Sequence, residues 1–344
     1  MNAGVEGQIY TRVRIAILDT GIAIAKGKPK LVRFRQTRIR ECRSFLEGCS
    51  AGDEDDDGHG TAAAILLLKV CPNADIYVAR VAQCSNGDVD RGVVSEALRY
   101  AVDEDNWNVD IISMSFGWLD EDDVKLNDAI DYAKRQGVLL FAATSNEGIR
   151  NPEGIPFPAS SPHVISVDSA DGQGENSGFN PPSNSDNNFK VRFTAPGERV
   201  NCAWPLHLSN ENHVPGQKRM TGTSFATPIA AGTAALVLEF SRQPPLALDP
   251  TVEKRLKTVE GMREVFSRLM SEEKNAPIPL RFLYPWKLLT GNKSSPYGGD
   301  AYDIGSPRYN VARKIVECLQ RRSPSTGFNM FRRVMEHIQR QDIR

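Results

Sequence analysis

Across the first 240 residues the apolar positions follow two rhythms that take turns. Some stretches are apolar at nearly every position and rich in β-branched residues: Val13 to Leu18, Ile76 to Val81, Val109 to Met114, Val138 to Ala143, Val164 to Val167 and, less strictly, Val191 to Gly197. Between several of them, apolar residues recur every three or four positions. Asp88 to Asp103 carries Val89, Val93, Ala97 and Tyr100 or Ala101 on one face, and a second helix is expected over Asp120 to Gln136 before Gly137 stops it. Two further segments, Thr61 to Val70 and the run after Pro228, are nearly all Ala, Gly, Ile and Leu, as helices buried on every side must be. Strands apolar on both faces, alternating with helices through short loops, predict an α/β fold: three layers, α/β/α, with a mainly parallel central sheet. The basic stretch Leu31 to Phe45 reads as an edge strand or hairpin, and polar Asp168 to Asn188 as a mobile surface loop.

The pattern changes after Phe240, at Arg242-Gln243-Pro244-Pro245. This divides the chain into a first domain, 1–240, and a mostly helical C-terminal extension, 241–344, packed on it or used for docking. Within the extension, Val252 to Met270 has the period of one amphipathic helix. Phe282 to Leu289 is an aromatic cluster docked on the body, and Val311 to Leu319 and Phe328 to Ile338 read as short helices. Charge divides at the same place, with a balance of −9 before residue 241 and +8 after it, against −1 for the whole chain. Two surfaces that attract each other explain this better than a nucleic-acid-binding tail does. No apolar run approaches the roughly 18 residues of a membrane span, so neither nucleic acid nor membrane is an expected partner. Met1 to Gln8 has neither the basic nor the apolar region of a secretory signal. Six cysteines without C-x-x-C spacing suggest free thiols rather than a metal site, Cys42 and Cys49 being the one pair left open. Together these features fit a reducing, cytoplasmic setting.

Candidate chemistry lies where a glycine-permitted turn meets the second all-apolar run, at Gly222-Thr223-Ser224-Phe225-Ala226-Thr227-Pro228. Ser224 stands at the mouth of a buried helix, where free N–H groups and the positive end of the dipole favour an oxyanion. Pro228 is expected in the first helical turn, where its missing N–H costs little. A serine nucleophile needs a base, and the base needs an orienting group. Of five histidines, His59 heads the other buried helix in Asp57-Gly58-His59-Gly60-Thr61, while His163, His207 and His213 read as surface residues. Asp19 ends the first apolar strand, at the carboxyl edge where open α/β sheets place their sites.

Asp19-Thr20-Gly21-Ile22, Gly58-His59-Gly60-Thr61 and the Ser224 block, in that order, resemble the three catalytic blocks of the subtilisin family of serine proteases. The resemblance runs from about Arg12 to Phe240. It implies a subtilisin-like fold and hydrolysis of peptide bonds in a protein or peptide substrate through an acyl-enzyme. Ser224 would be the nucleophile, His59 the general base and Asp19 its orienting group. Asn146, in Thr144-Ser145-Asn146-Glu147-Gly148, would donate to the oxyanion beside the Ser224 N–H; Ser145 stands where the family has glycine. Ser115, Phe116, Gly117, Ala143 and Ser145 would bind substrate, over a floor from the loop Pro152 to Pro162. Such a pocket suits an apolar side chain, whereas Glu147 and Glu153 at its mouth would favour Lys or Arg; both readings stay open. No metal or organic cofactor is implied, and Pro72-Asn73-Ala74 is too short for the calcium-binding insertion of secreted relatives. The acidic run Asp53 to Asp57 is expected to be a solvated loop or a cation site. The first strand lies close to Met1, leaving no room for a folding pro-segment, which suits an intracellular protein or a domain of a larger one. A regulatory partner would dock through the extension. The competing reading is a pseudoprotease, a partner-activated binding or scaffold module, against which the intact set Asp19, His59, Ser224 and Asn146 counts.

Overall fold

The computed structural model describes residues 10–23, 37–48, 52–120, 123–148, 154–182, 191–209, 214–273, 281–289, 307–320 and 334. Within the first 240 residues, seven strands pair in parallel in one sheet: β1 (Arg14–Asp19), β2 (Ile39–Ser44), β3 (Asp75–Arg80), β4 (Ile111–Met114), β5 (Leu139–Ala143), β6 (Val164–Ala170) and β7 (Phe193–Pro196). Alternation along each strand divides the core in two. Ile15 and Ile17 of β1, with Leu139 and Phe141 of β5, face α1 (His59–Val70) and α4 (Thr223–Ser241). Ala16 and Leu18, with Leu140 and Ala142, face α2 (Arg91–Val102) and α3 (Val124–Arg135) on the other side. Helices covering both faces explain why these strands are apolar at every position. The helices α2 and α3 start where a carboxylate can cap them: Asp90 accepts from Val93 N, and Asp123 from Leu126 N.

The helix α4 corrects one expectation. At 19 residues it is long and apolar enough, by length and composition, to cross a membrane. Here it is a core helix, most of its residues buried between the sheet and α1. The hairpin β8 (Val200–Ala203) and β9 (Gln217–Met220) stands outside the main sheet and packs on α1.

Residues beyond Phe240 pack on this body and extend its sheet. Strand β11 (Arg281–Leu283) pairs parallel to β7, and β10 (Ser271–Glu273) pairs antiparallel to β11, giving the order β10-β11-β7-β6-β5-β4-β1-β3-β2. The single helix expected over Val252 to Met270 is two, α5 (Pro250–Leu256) and α6 (Val259–Leu269). Asp249 caps the first, with Pro250 in its opening turn; the Thr258 hydroxyl accepts from Gly261 N and starts a second helix in a new direction. Phe266 of α6 seats its ring 5.3 Å from Phe193 and 6.3 Å from Phe141, under the sheet. A short helix, α7 (Pro285–Leu289), follows β11, and the rings of Phe282, Tyr284 and Trp286 meet in sequence along this segment, tilted and then edge to face. Val311 to Leu319 fall inside α8 (Pro307–Gln320). Of the helix expected over Phe328 to Ile338, only Val334, helical and buried, is within the described residues.

The stretch from Asp168 is not surface loop at its start. Asp168 and Ser169 belong to β6 and are wholly buried. The Arg192 guanidinium lies 3.0 Å from Asp168. Burial pushes the Asp168 carboxyl above its ordinary value in spite of that cation. Ser169, Ser177 and Asn180 close a buried hydrogen-bonded cluster beside it.

Candidate active site

Asp19, His59 and Ser224 come from three element ends. Asp19 is the last residue of β1, which lies inside the sheet between β3 and β4, so it stands at the carboxyl end of a central strand, where open α/β sheets place their sites. His59 opens α1, and its Nδ1 lies 2.7 Å from Asp19 Oδ1, both side chains buried. The close approach depends on Gly60, where a Cβ would meet Gly21 O at 2.2 Å. Burial on its own would make His59 less basic. The charge and hydrogen bond of Asp19, with Asp57 and Asp55 farther off, outweigh it and hold the imidazole above its ordinary pKa of 6.5. Ser224 is the second residue of α4, and the ring of Phe225 beside it lies 5.0 Å from the His59 ring. The fold therefore brings the three named residues to one end of the sheet.

Two residues that the sequence reading left without a role in the site hold this end together. Asp55, read within a solvated or cation-binding run, is buried and anchors the head of α1. Its Oδ1 accepts from Gly58 N and the Thr20 hydroxyl, and its Oδ2 from Thr61 N and the Thr61 hydroxyl. A carboxylate a few residues ahead of an apolar helix is the signal that would have identified it. Thr20 joins the Asp19 and His59 segments, its hydroxyl accepting from Gly60 N at 3.0 Å. Asp53, Glu54 and Asp56 are exposed, and among the described residues no group of acidic, histidine or cysteine side chains is arranged for a metal.

Pro228 sits deeper than expected. The helix α4 begins at Thr223, so Pro228 is its sixth residue and cannot donate to the carbonyl of Ser224 four positions back. The Ser115 hydroxyl takes that place, donating to Ser224 O at 3.2 Å. This ties the end of β4 to the serine block.

Asn146 is exposed on the loop after β5, and its Oδ1 accepts from Thr223 N at 2.7 Å and from the Thr223 hydroxyl at 3.1 Å. Because a backbone N–H can only donate, the carboxamide oxygen must face Thr223, and Nδ2 is left as the outward donor. Phe116 and Gly117 follow β4, and Ala143 ends the neighbouring β5. Trp118 exchanges two 2.7 Å backbone hydrogen bonds with Phe157, bringing the Phe116–Trp118 segment against the expected floor. Glu147 is exposed; Glu153, His213 and Cys49 lie outside the described residues.

Ser145 has φ +115°, a conformation that glycine adopts freely and other residues do not. Its hydroxyl accepts from Glu147 N at 3.2 Å, which offsets part of the strain. Ser145→Ala keeps the strain and loses the bond, so Ser145→Gly should be the more stable variant by about 1 kcal/mol. That reverses the usual order of alanine and glycine. Thermal unfolding of both variants in a Ser224→Ala background checks it, and an alanine variant as stable as the glycine one would show the backbone to be unstrained.

Comparison with known proteins bears on the family and the fold. The subtilase family (Peptidase_S8) matches residues 11–260. The thermostable alkaline protease of Halalkalibacterium halodurans is 32% identical over 233 residues, 65% of this chain and 56% of that protein, so the chain spans little more than half of that relative. The major intracellular serine protease of Bacillus subtilis is 29% identical over 254 residues, 70% of this chain and 72% of that one. Among solved structures, the prenylagaramide maturation protease PagA superposes with a TM-score of 0.60 at 25% identity, covering 80% of this chain and 91% of that one. With the family match spanning most of the chain and the subtilisin-like sheet, helices and site end described above, the chain belongs to the subtilase family.

Proposed function

We propose that this protein is a serine endopeptidase. The observation that carries the reading is the buried 2.7 Å contact of His59 Nδ1 with Asp19, on an imidazole packed against the residue next to Ser224. Ser224 attacks the scissile carbonyl and His59 takes its proton. Asp19 keeps the proton of the imidazole on Nδ1 and stabilises the imidazolium. His59 then returns the proton to the leaving amine, and water repeats the sequence on the acyl-enzyme. The Asn146 amide and Ser224 N–H receive the oxyanion, and Ser115, Phe116, Gly117, Ala143 and Ser145 line the approach of the acyl side of the substrate. The test is reaction with a fluorophosphonate read by intact mass. One adduct on the wild type, absent in Ser224→Ala and much slower in His59→Ala, is the expected result. A folded wild type that takes no label would favour a binding or partner-activated module instead.

Asn146→Ala should lower kcat by about 10²- to 10³-fold with little change in KM, the size measured for the corresponding donor in subtilisin itself. Steady-state kinetics on one peptide checks it. A loss confined to KM would assign Asn146 to substrate binding rather than to the oxyanion.

A further inference from the structure

The corner formed by Gly58, Trp204 and Lys218 has no part in the chemistry above. The indole of Trp204 lies flat against the α-carbon of Gly58, where a Cβ would meet its ring atoms at 2.9 Å. It is therefore one residue from His59. The Lys218 ammonium rests 3.8 Å from the centre of the same ring. Both side chains are half-buried, so one face of the pair stays in water. Phe225, its ring 5.0 Å from that of His59, packs with Cys202, Val200 and Met220 of the β8–β9 hairpin, the hairpin that carries Lys218. Ser224, whose N–H is one oxyanion donor, lies in α4 beside Phe225, whereas Asn146 and the Ser115–Gly117 segment lie on other elements, at the ends of β5 and β4. A substrate chain held along those elements on its acyl side leaves past His59, which must reach the departing nitrogen. The residues following the scissile bond then run along Trp204.

Lys218 gives that wall a sign. An aromatic face attracts an ammonium but does not neutralise it. Among the described residues no carboxylate pairs with Lys218, and Arg219, exposed beside it, is likewise without an ion pair. A cation fixed on a rigid ring loses little freedom when it meets an anion. We infer that Trp204 and Lys218 form a specificity subsite for an acidic residue, Asp or Glu, just after the scissile bond. This rests on the endopeptidase reading.

The experiment uses quenched fluorescent peptides that differ only at the first and second positions after the cleaved bond, carrying Glu, Gln or Lys. A control set carries the same residues before it. Wild type should cleave the Glu peptide about fivefold faster in kcat/KM than the Gln peptide, the worth of one partly screened ion pair. The control set should show no such ratio. Lys218→Met should bring the Glu/Gln ratio to about one, and Lys218→Glu should reverse the order of Glu and Lys. Cleavage with equal rates for Glu and Gln in wild type, or a ratio that survives in Lys218→Met, overturns the subsite. Failure of the wild type to cleave any peptide or to take up a fluorophosphonate overturns the endopeptidase reading, and the subsite with it.

Discussion

Ser224→Ala should lower kcat by about 10⁶-fold and His59→Ala by a similar factor, the losses measured for subtilisin, and Asp19→Asn by about 10⁴-fold, the loss measured for that change in the chymotrypsin-type triad; none is a size derived from this geometry. The informative result is the double variant. In the proposed mechanism Ser224 and His59 act as one unit, so removing both should cost no more than removing either, where independent contributions would multiply. The pH dependence carries the same logic. His59 must be neutral to accept a proton, and Asp19 holds its pKa above 6.5. The acid limb of kcat/KM should therefore fall above pH 6.5, with activity rising as pH rises through it. Asp19→Asn removes the charge that opposes burial, so its residual activity should have an acid limb at lower pH. A limb that stays in place in Asp19→Asn would assign the controlling ionisation to another group.

Most of the sheet was legible in the sequence because β1 and β3 to β6 are covered on both faces. Their apolar runs then carry no alternation to be misread, and Asp19 falls at a strand end by simple counting. The place of Asp19, His59 and Ser224 at element ends was legible because glycines surround them for steric reasons that leave a local pattern. What escaped has its causes elsewhere in the chain. Gln217–Met220 alternates exposed with half-buried residues on a two-stranded hairpin, so it has no apolar run to announce a strand. The three-residue β11 exists through pairing with β7, far away in sequence, and β10 through pairing with β11. Asp168 looks like the start of a polar loop until Arg192 arrives from the next strand connection to make its burial tolerable. The strain at Ser145 is visible only as a backbone angle. The break at Thr258 was legible in principle, since Thr at an N-cap is a local signal, but an unbroken hydrophobic period masked it.

Asp110→Asn should cost about 3 kcal/mol of folding stability, measured by urea unfolding at pH 7 in the Ser224→Ala background. Asp110 stands just before β4 and is buried. Its Oδ1 receives Arg242 at 2.6 Å and Lys257 at 2.9 Å, and its Oδ2 accepts from Arg14 N at 3.0 Å. One carboxylate thus fastens the start of β1 to the end of α4 and the junction of α5 with α6. Removing one partner of a buried pair usually costs about 3–5 kcal/mol, because the other charge is left buried. Arg242 keeps Glu253 at 2.8 Å, which puts the expected loss at the lower end. Burial alone would raise the Asp110 pKa, but Arg242 and then Lys257 overcome it and hold the carboxyl below its ordinary 3.8. A carboxyl depressed in the folded state stabilises fully above its unfolded value and loses that contribution as pH falls through the folded value. The gap between wild type and Asp110→Asn should therefore be constant near neutrality and close progressively below about pH 4. A gap that did not narrow at all as pH fell below 4 would mean that Asp110 acts through packing, and that the C-terminal helices are held to the sheet by their apolar faces alone.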